Sequence, residues 1–113
     1  MRWLWLAHRK VWEVAFKIPN EGQRSWQMGA CMKLEGLKSG VPDVFIAFPS
    51  GKSPGLFIEF KAGKNKLTEK QKDMIEKLLA QGYCCYVCYS MDEAIKVTSE
   101  YLGVMDDNQR PTA

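Results

Sequence analysis

The sequence predicts an α/β fold in which a mixed β-sheet carries helices packed on its faces. Three observations predict it. Residues 43–48 and 56–61 are short apolar, β-prone segments joined by a connection rich in Pro, Gly and Ser, the pattern of an antiparallel hairpin. Residues 56–89 read strand, helix, strand, and such a step closes as a right-handed parallel crossover. The rest alternates helical and strand periods without a linker or repeat, giving the order helix, strand, helix, strand, strand, helix, strand, helix.

Each element has its own signal. Trp3, Leu4, Ala7 and Val11 form a short helical stripe. Trp12, Val14, Phe16 and Ile18 alternate with Glu13, Ala15 and Lys17 as a half-buried strand closed by Pro19. Asn20, Glu21 and Gly22 make a turn, residues 23–35 a helix, and Gly36 its stop. Residues 38–42 are a tight loop before the second strand, 43–48, and 56–61 is the third. Thr68 with Gln71 is a capping-box pair that opens a helix with Met74, Ile75, Leu78 and Leu79 on one stripe, and Gly82 stops it. The unbroken apolar run 83–89 has the look of a central strand covered on both faces. Ser90 with Glu93 is a second capping box; Ala94, Ile95, Thr98, Tyr101 and Leu102 line one side of the last helix, which Gly103 ends. Residues 104–113 are a polar tail expected to fray.

Composition narrows the function classes. With 113 residues, 46% apolar and 26% charged, the chain builds one domain with its own core and is not intrinsically disordered. No apolar run approaches the roughly 20 residues that span a bilayer, and Trp3 to Ala7 is too short for a signal-peptide core, so an intracellular, cytoplasmic protein is expected. A net charge of +3 permits nucleic acid without demanding it. The run from Lys61 to Lys72 is more basic, with Lys64, Lys66 and Lys70 between them against Glu69. A solvated face is its ordinary meaning, unless a reactive group lies beside it.

The cysteines do not make a metal site. Cys85 and Cys88 have zinc-like spacing, but residues three apart on a strand point to opposite faces. Cys84 and Cys88 share a face on the order of 13 Å apart. With Cys31 they read as buried thiols in a reducing compartment.

Three charged residues stand where structure alone asks for few. Asp43 opens a strand after Val41 and Pro42, and Glu59 and Lys61 lie in the apolar strand Leu56-Phe57-Ile58-Glu59-Phe60-Lys61. Residues two apart share a strand face, so Glu59 and Lys61 project side by side, about 6.6 Å apart along the chain. Antiparallel pairing of 43–48 with 56–61 brings Asp43 opposite them. Two carboxylates offer oxygen ligands to Mg²⁺, which takes one or two of them plus waters and phosphate oxygens. Such a cation polarises a phosphate and acidifies a bound water, and a neighbouring lysine can orient or deprotonate that water or offset charge. The pattern points to phosphodiester cleavage. Its bland alternative is an ion pair on a strand end, worth little.

The motifs resemble a known family. Ile18-Pro19-Asn20-Glu21-Gly22-x-Arg24-Ser25, Gly36-Leu37-Lys38-Ser39-Gly40-Val41-Pro42-Asp43, Ile58-Glu59-Phe60-Lys61 and Leu67-Thr68-x-x-Gln71-Lys72 are similar to the signature of the PD-(D/E)XK nuclease superfamily, and within it to the stand-alone phage and bacterial VRR-NUC domains, the virus-type replication-repair nucleases. The resemblance implies a restriction-endonuclease-like mixed sheet over residues 1–103. It implies an Mg²⁺-dependent DNA endonuclease, with Mn²⁺ as a substitute, acting as a homodimer on branched DNA such as four-way (Holliday) junctions. By the same resemblance Asp43, Glu59 and the Phe60 carbonyl bind metal, Lys61 acts on the water, and Gln71 lines the site. Asn20, Arg24 and Ser25 become candidate substrate contacts, and the basic residues Lys38, Lys64, Lys66 and Lys72 candidate contacts to flanking phosphates.

One departure stands out. Family members usually carry a further acidic residue in the first helix, and residues 1–10 hold neither Asp nor Glu. Either the chain starts late, or the site runs without that ligand, or Glu21 partly substitutes, and a short amino end is the expected explanation. Trp3, Trp5 and Trp12 leave aromatic surface that suits a dimer contact. The departure also motivates the alternative of a non-catalytic nucleic-acid-binding module. Gly51-Lys52-Ser53 is no phosphate loop, because Ile46 stands where its first Gly belongs and Pro54-Gly55 block the helix. His8, the single histidine, reads as exposed beside Arg9 and Lys10, which leaves no support for a histidine metal cluster or a Ser-His-Asp triad. Glu35, Glu69 and Glu76 read as helix surface.

Overall fold

A computed structural model of the chain describes residues 2–19 and 38–103. The expected turn at Asn20 to Gly22, the helix 23–35 with its Gly36 stop, Cys31, and the tail 104–113 lie outside the described residues, as do the candidate contacts Asn20, Glu21, Arg24 and Ser25.

The first apolar stripe folds as two short helices, α1 (Arg2–Ala7) and α2 (Arg9–Trp12), broken at His8, whose extended φ of −142° interrupts the turn. Leu4 and Val11 are fully buried, as the stripe requires. His8 is half-buried rather than exposed. The first strand is shorter than its alternation suggested. Trp12 donates its N–H to the His8 carbonyl at 2.9 Å and Glu13 to Arg9 at 3.1 Å, so helical bonding runs past Trp12. β1 therefore covers only Ala15–Lys17. Its core-facing residue is Ala15, whereas Trp12, Val14 and Phe16 are exposed.

β2 (Val44–Ile46) and β3 (Leu56–Phe60) form the expected antiparallel hairpin, with Val44 opposite Ile58 and Ile46 opposite Leu56. β1 pairs antiparallel with β2, placing Lys17 opposite Val44. The chain then crosses through α3 (Glu69–Ala80) to β4 (Cys84–Cys88), which runs parallel to β3. The sheet order is β1-β2-β3-β4, a mixed sheet as predicted. The last helix is α4 (Met91–Gly103).

Alternation sorts the sheet into two faces. Val44, Ile46, Leu56 and Ile58 pack with Leu4, Val11, Cys88, Ala94, Tyr101 and Leu102 into the core. On the other face Phe45 stacks on Phe57 with centroids 4.3 Å apart, and both meet Tyr83 edge-on. α3 starts at the predicted capping box. It ends in a Schellman motif, with Gly82 at φ +93° and the Tyr83 N–H donating to Leu78. Its stripe is only half covered, and Leu79 is exposed. α4 buries Ala94, Thr98, Tyr101 and Leu102 as read from its stripe. In its cap Glu93 donates its N–H to the Ser90 hydroxyl, but the Glu93 carboxylate accepts from Tyr89, one residue beyond the usual partner.

β4 departs from expectation. Among the described residues it is an edge strand, Tyr86 and Tyr89 are exposed, and only Cys88 of its three thiols is buried. The three thiols are free. Burial, helped by Cys84, pushes the Cys85 thiol up to about 11, which leaves it protonated and inert. Among the described residues no helix is long and apolar enough to cross a membrane.

Candidate functional site

Hairpin register builds the site. Because Val44 pairs with Ile58, Asp43 stands across from Glu59 at the open end of the hairpin. The Asp43 carboxylate accepts the Phe60 N–H at 2.8 Å, so it occupies the place a ladder carbonyl would take. The Asp43 carbonyl accepts the Ile18 N–H at 2.7 Å, which ties the end of β1 to the same point. Just past β3, the Lys61 N–H donates to the Cys88 carbonyl at 2.9 Å, and this holds the lysine backbone against β4.

The side chains meet as the sequence suggested. The Lys61 ammonium lies 3.9 Å from Glu59 Oε1. Gln71, in the first turn of α3, reaches the same oxygen with Nε2 at 2.8 Å. Gln71 Oε1 accepts the Thr68 N–H at 2.9 Å while its own N–H donates to the Thr68 hydroxyl at 3.2 Å. One glutamine thus closes the helix cap and holds Glu59, so both readings of it hold together. The approach of α3 depends on Gly40, at φ +81°: a Cβ there would stand 2.5 Å from the Lys70 carbonyl oxygen. Only glycine lets the 38–42 loop press on the turn that presents Gln71.

Glu59 is an uncommon carboxylate. Its side chain is 5% exposed, and its Oε2 is buried with no hydrogen-bond partner. Burial first, and then the neighbouring Asp43 carboxylate, raise its pKa from 4.5 to about 7, against the opposing pull of Lys61.

These groups open on a cleft of about 730 Å³ around the rim of the sheet. Sequence reasoning missed several of its walls. Trp3 of α1, Lys17 of β1, Asn65, and Met91 of α4 line it together with Asp43, Glu59, Phe60, Lys61 and Gln71. Asn65 is held through its carbonyl, which accepts the Tyr89 hydroxyl at 3.0 Å. No local signal marks these residues, since each comes from a different element. The basic candidates Lys38, Lys64, Lys66 and Lys72 are exposed and outside the cleft wall, and Lys72 pairs with Glu69 at 3.5 Å.

The donor set fits a hard divalent cation. Both carboxylates offer oxygen, and Glu59 Oε2 lacks a partner that a cation or proton would supply. Among the described residues no group of three or more His, Cys, Asp and Glu side chains gathers. α1 and α2 bring no acidic residue. The Asp43–Glu59 pair meets the one or two carboxylates Mg²⁺ usually takes from protein, the remaining positions being for water and phosphate oxygens.

Comparison with known proteins identifies the family and the fold. No curated protein matches the chain. A solved structure of a VRR_NUC domain protein is similar to it, with a TM-score of 0.73 and 31% identity over 90% of this chain and 79% of that one. The family model of the VRR-NUC domain, a nuclease-type domain, matches residues 5–92. By extent of match and likeness of fold, this chain belongs to the VRR-NUC domain family.

Proposed function

We propose that the protein is an Mg²⁺-dependent DNA endonuclease that hydrolyses phosphodiester bonds at the Asp43–Glu59–Lys61 rim, with Mn²⁺ able to replace Mg²⁺. The observation that carries the reading is the convergence of these three side chains and Gln71 on one open cleft.

Asp43 and Glu59 would hold the cation, with the Phe60 carbonyl beside them and Glu21 a further candidate from outside the described residues. The cation, when bound, supplies charge neutralisation to the phosphate and acidity to water. Gln71 fixes Glu59 Oε1, leaving Oε2 as the free donor atom. Lys61, 14% exposed along its side chain, orients the attacking water and offsets charge on the phosphorane-like transition state. The water gives up one proton as its oxygen bonds to phosphorus, one ester P–O bond breaks, and the departing sugar oxygen takes up one proton from solvent, so the protons balance. Lys38, Lys64, Lys66 and Lys72 contact flanking phosphates, and Asn20, Arg24 and Ser25 are further substrate contacts.

Branched DNA, four-way junctions first, is the proposed substrate, cut by a homodimer whose two sites serve two strands. Exposed Trp5, Leu6, Trp12 and Phe16 supply apolar surface that suits a second copy. The test incubates the protein with junction, flap and linear duplex DNA plus Mg²⁺ or Mn²⁺. Wild type is expected to cut junctions fastest, and Lys61→Ala to lose on the order of 10²-fold or more in rate. A wild type that cuts nothing, or a Lys61→Ala variant that matches it, overturns the reading.

A non-catalytic nucleic-acid-binding module is the second reading. It draws on the small number of acidic ligands gathered among the described residues. Under it the protein binds DNA with salt sensitivity but cuts none of the three substrates.

A further inference from the structure

We infer that Lys17 is a second phosphate-binding residue of the cleft, holding a phosphate next to the scissile one on the side of Asp43 away from Lys61. The inference rests on the nuclease reading for what the phosphate belongs to, and on geometry for the rest.

β1 ends at the site. Lys17 is its last residue, sits in register with Val44, and is followed by the Ile18 N–H that donates to the Asp43 carbonyl at 2.7 Å. The lysine is thereby fixed one residue from the metal-site carboxylate. It lines the same cleft as Asp43, Glu59 and Lys61. Lys61 lies 3.9 Å from Glu59. Lys17 is exposed, and among the described residues its ammonium has neither an ion pair nor a hydrogen bond.

The spacing argues for separate phosphates. Two strand intervals of about 4.8 Å separate β1 from β3, and Lys61 lies three residues, about 10 Å, beyond the Ile58 that shares a row with Lys17. The two lysine backbones are therefore roughly 14 Å apart. Lys17 shares a row, and so a sheet face, with Val44 and Ile58, whereas Lys61, three residues past Ile58, starts from the other face. The two ammonium groups thus reach the cleft from opposite sides of the rim and meet different phosphates. A backbone strand entering the cleft passes Lys17 with one phosphate and Lys61 with another. The ligand class is a polyanionic strand rather than a lone phosphate monoester.

Salt dependence reads this contact without needing turnover. Fluorescence anisotropy of labelled four-way junction and linear duplex DNA, in EDTA and across a KCl series, compares wild type with Lys17→Gln, Lys17→Arg and Lys52→Gln. Lys52 is an exposed lysine on the Ser50–Ser53 turn at the far end of the hairpin. Lys17→Gln should reduce the slope of log K against log salt by about 1. Lys17→Arg should keep the wild-type slope, and so should Lys52→Gln. With Mg²⁺ the Lys17→Gln loss should fall on KM more than on kcat. An unchanged slope in Lys17→Gln, or an equal drop in Lys52→Gln, overturns the inference. A wild type that cuts no DNA defeats the nuclease reading instead, and the slope still decides on Lys17.

Discussion

The two ends of the β2–β3 hairpin both bury polar side chains, and they treat them in opposite ways. At the turn end, Ser50 and Ser53 are 2% and 9% exposed. The Ser50 hydroxyl donates to the Tyr101 carbonyl, Ser53 donates to the Gly55 carbonyl at 2.9 Å, and the Tyr101 hydroxyl donates to the Phe48 carbonyl at 2.7 Å. The two bonds that involve Tyr101 fasten the turn to α4, and the Ser53 bond closes the turn on itself. At the open end, Glu59 is 4% exposed, yet one of its oxygens has no partner and its pKa is raised to about 7. A buried carboxylate left short of partners costs stability. The same hairpin satisfies its polar groups where they only hold the fold and leaves them open where a ligand would complete them.

Substitutions sharpen this contrast. The largest effect should be on turnover. Asp43→Ala should lower DNA cleavage by on the order of 10²-fold or more, while Ser53→Ala at the other end should stay within about twofold in the same gel assay. A comparable loss in both would mean that the open end acts only through the fold.

Stability should move in opposite directions at the two ends. Glu59 has a folded pKa of about 7 against an ordinary 4.5. The stability it contributes is complete below pH 4.5 and is lost as pH rises through 7. Without metal, the protein should melt at a higher temperature near pH 5 than near pH 8 as far as this group decides it. Glu59→Gln should remove that dependence and stabilise the metal-free protein at pH 8, with a ceiling on the order of 3 kcal/mol. Tyr101→Phe should instead cost about 1 kcal/mol at either pH. Thermal melts of both variants at both pH values check the pair. A Glu59→Gln variant less stable than wild type at pH 8 would contradict the account of the orphaned oxygen.

Gln71 gives the smallest and most divided effect. Gln71→Ala removes a cap partner and the Glu59 contact together, so it should cost about 1 kcal/mol and weaken metal binding by roughly 10-fold. Gln71→Glu should keep the cap, and hence most of the stability, while placing another carboxylate beside Glu59. Its cleavage should then fall further than its melting temperature suggests.

Much of the open end was legible in the sequence, because strand alternation and hairpin register are local rules. They put Asp43 across from Glu59, and the Thr68–Gln71 spacing put Gln71 at a helix start. The cleft's other wall was not legible. Lys17 and Trp3 reach it only through the β1–β2 pairing and the packing of α1, which no short pattern encodes. The first strand misled for a physical reason: Trp12, Val14, Phe16 and Ile18 alternate like a strand, but helical hydrogen bonds through Trp12 and Glu13 claim its first residues. The run at residues 83–89 is apolar enough for a central strand, yet its tyrosines can be half exposed without penalty because the ring is apolar and the hydroxyl is not. Tyr89 uses that hydroxyl on Asn65.

The account depends on the Asp43–Glu59 pair being a cation site. Calorimetric titration of Mn²⁺ into the full chain at pH 8 tests it most directly. Wild type and Tyr101→Phe should both take up the ion with measurable heat, and Asp43→Ala should lose that uptake. No uptake by wild type, or equal uptake by Asp43→Ala, would contradict it.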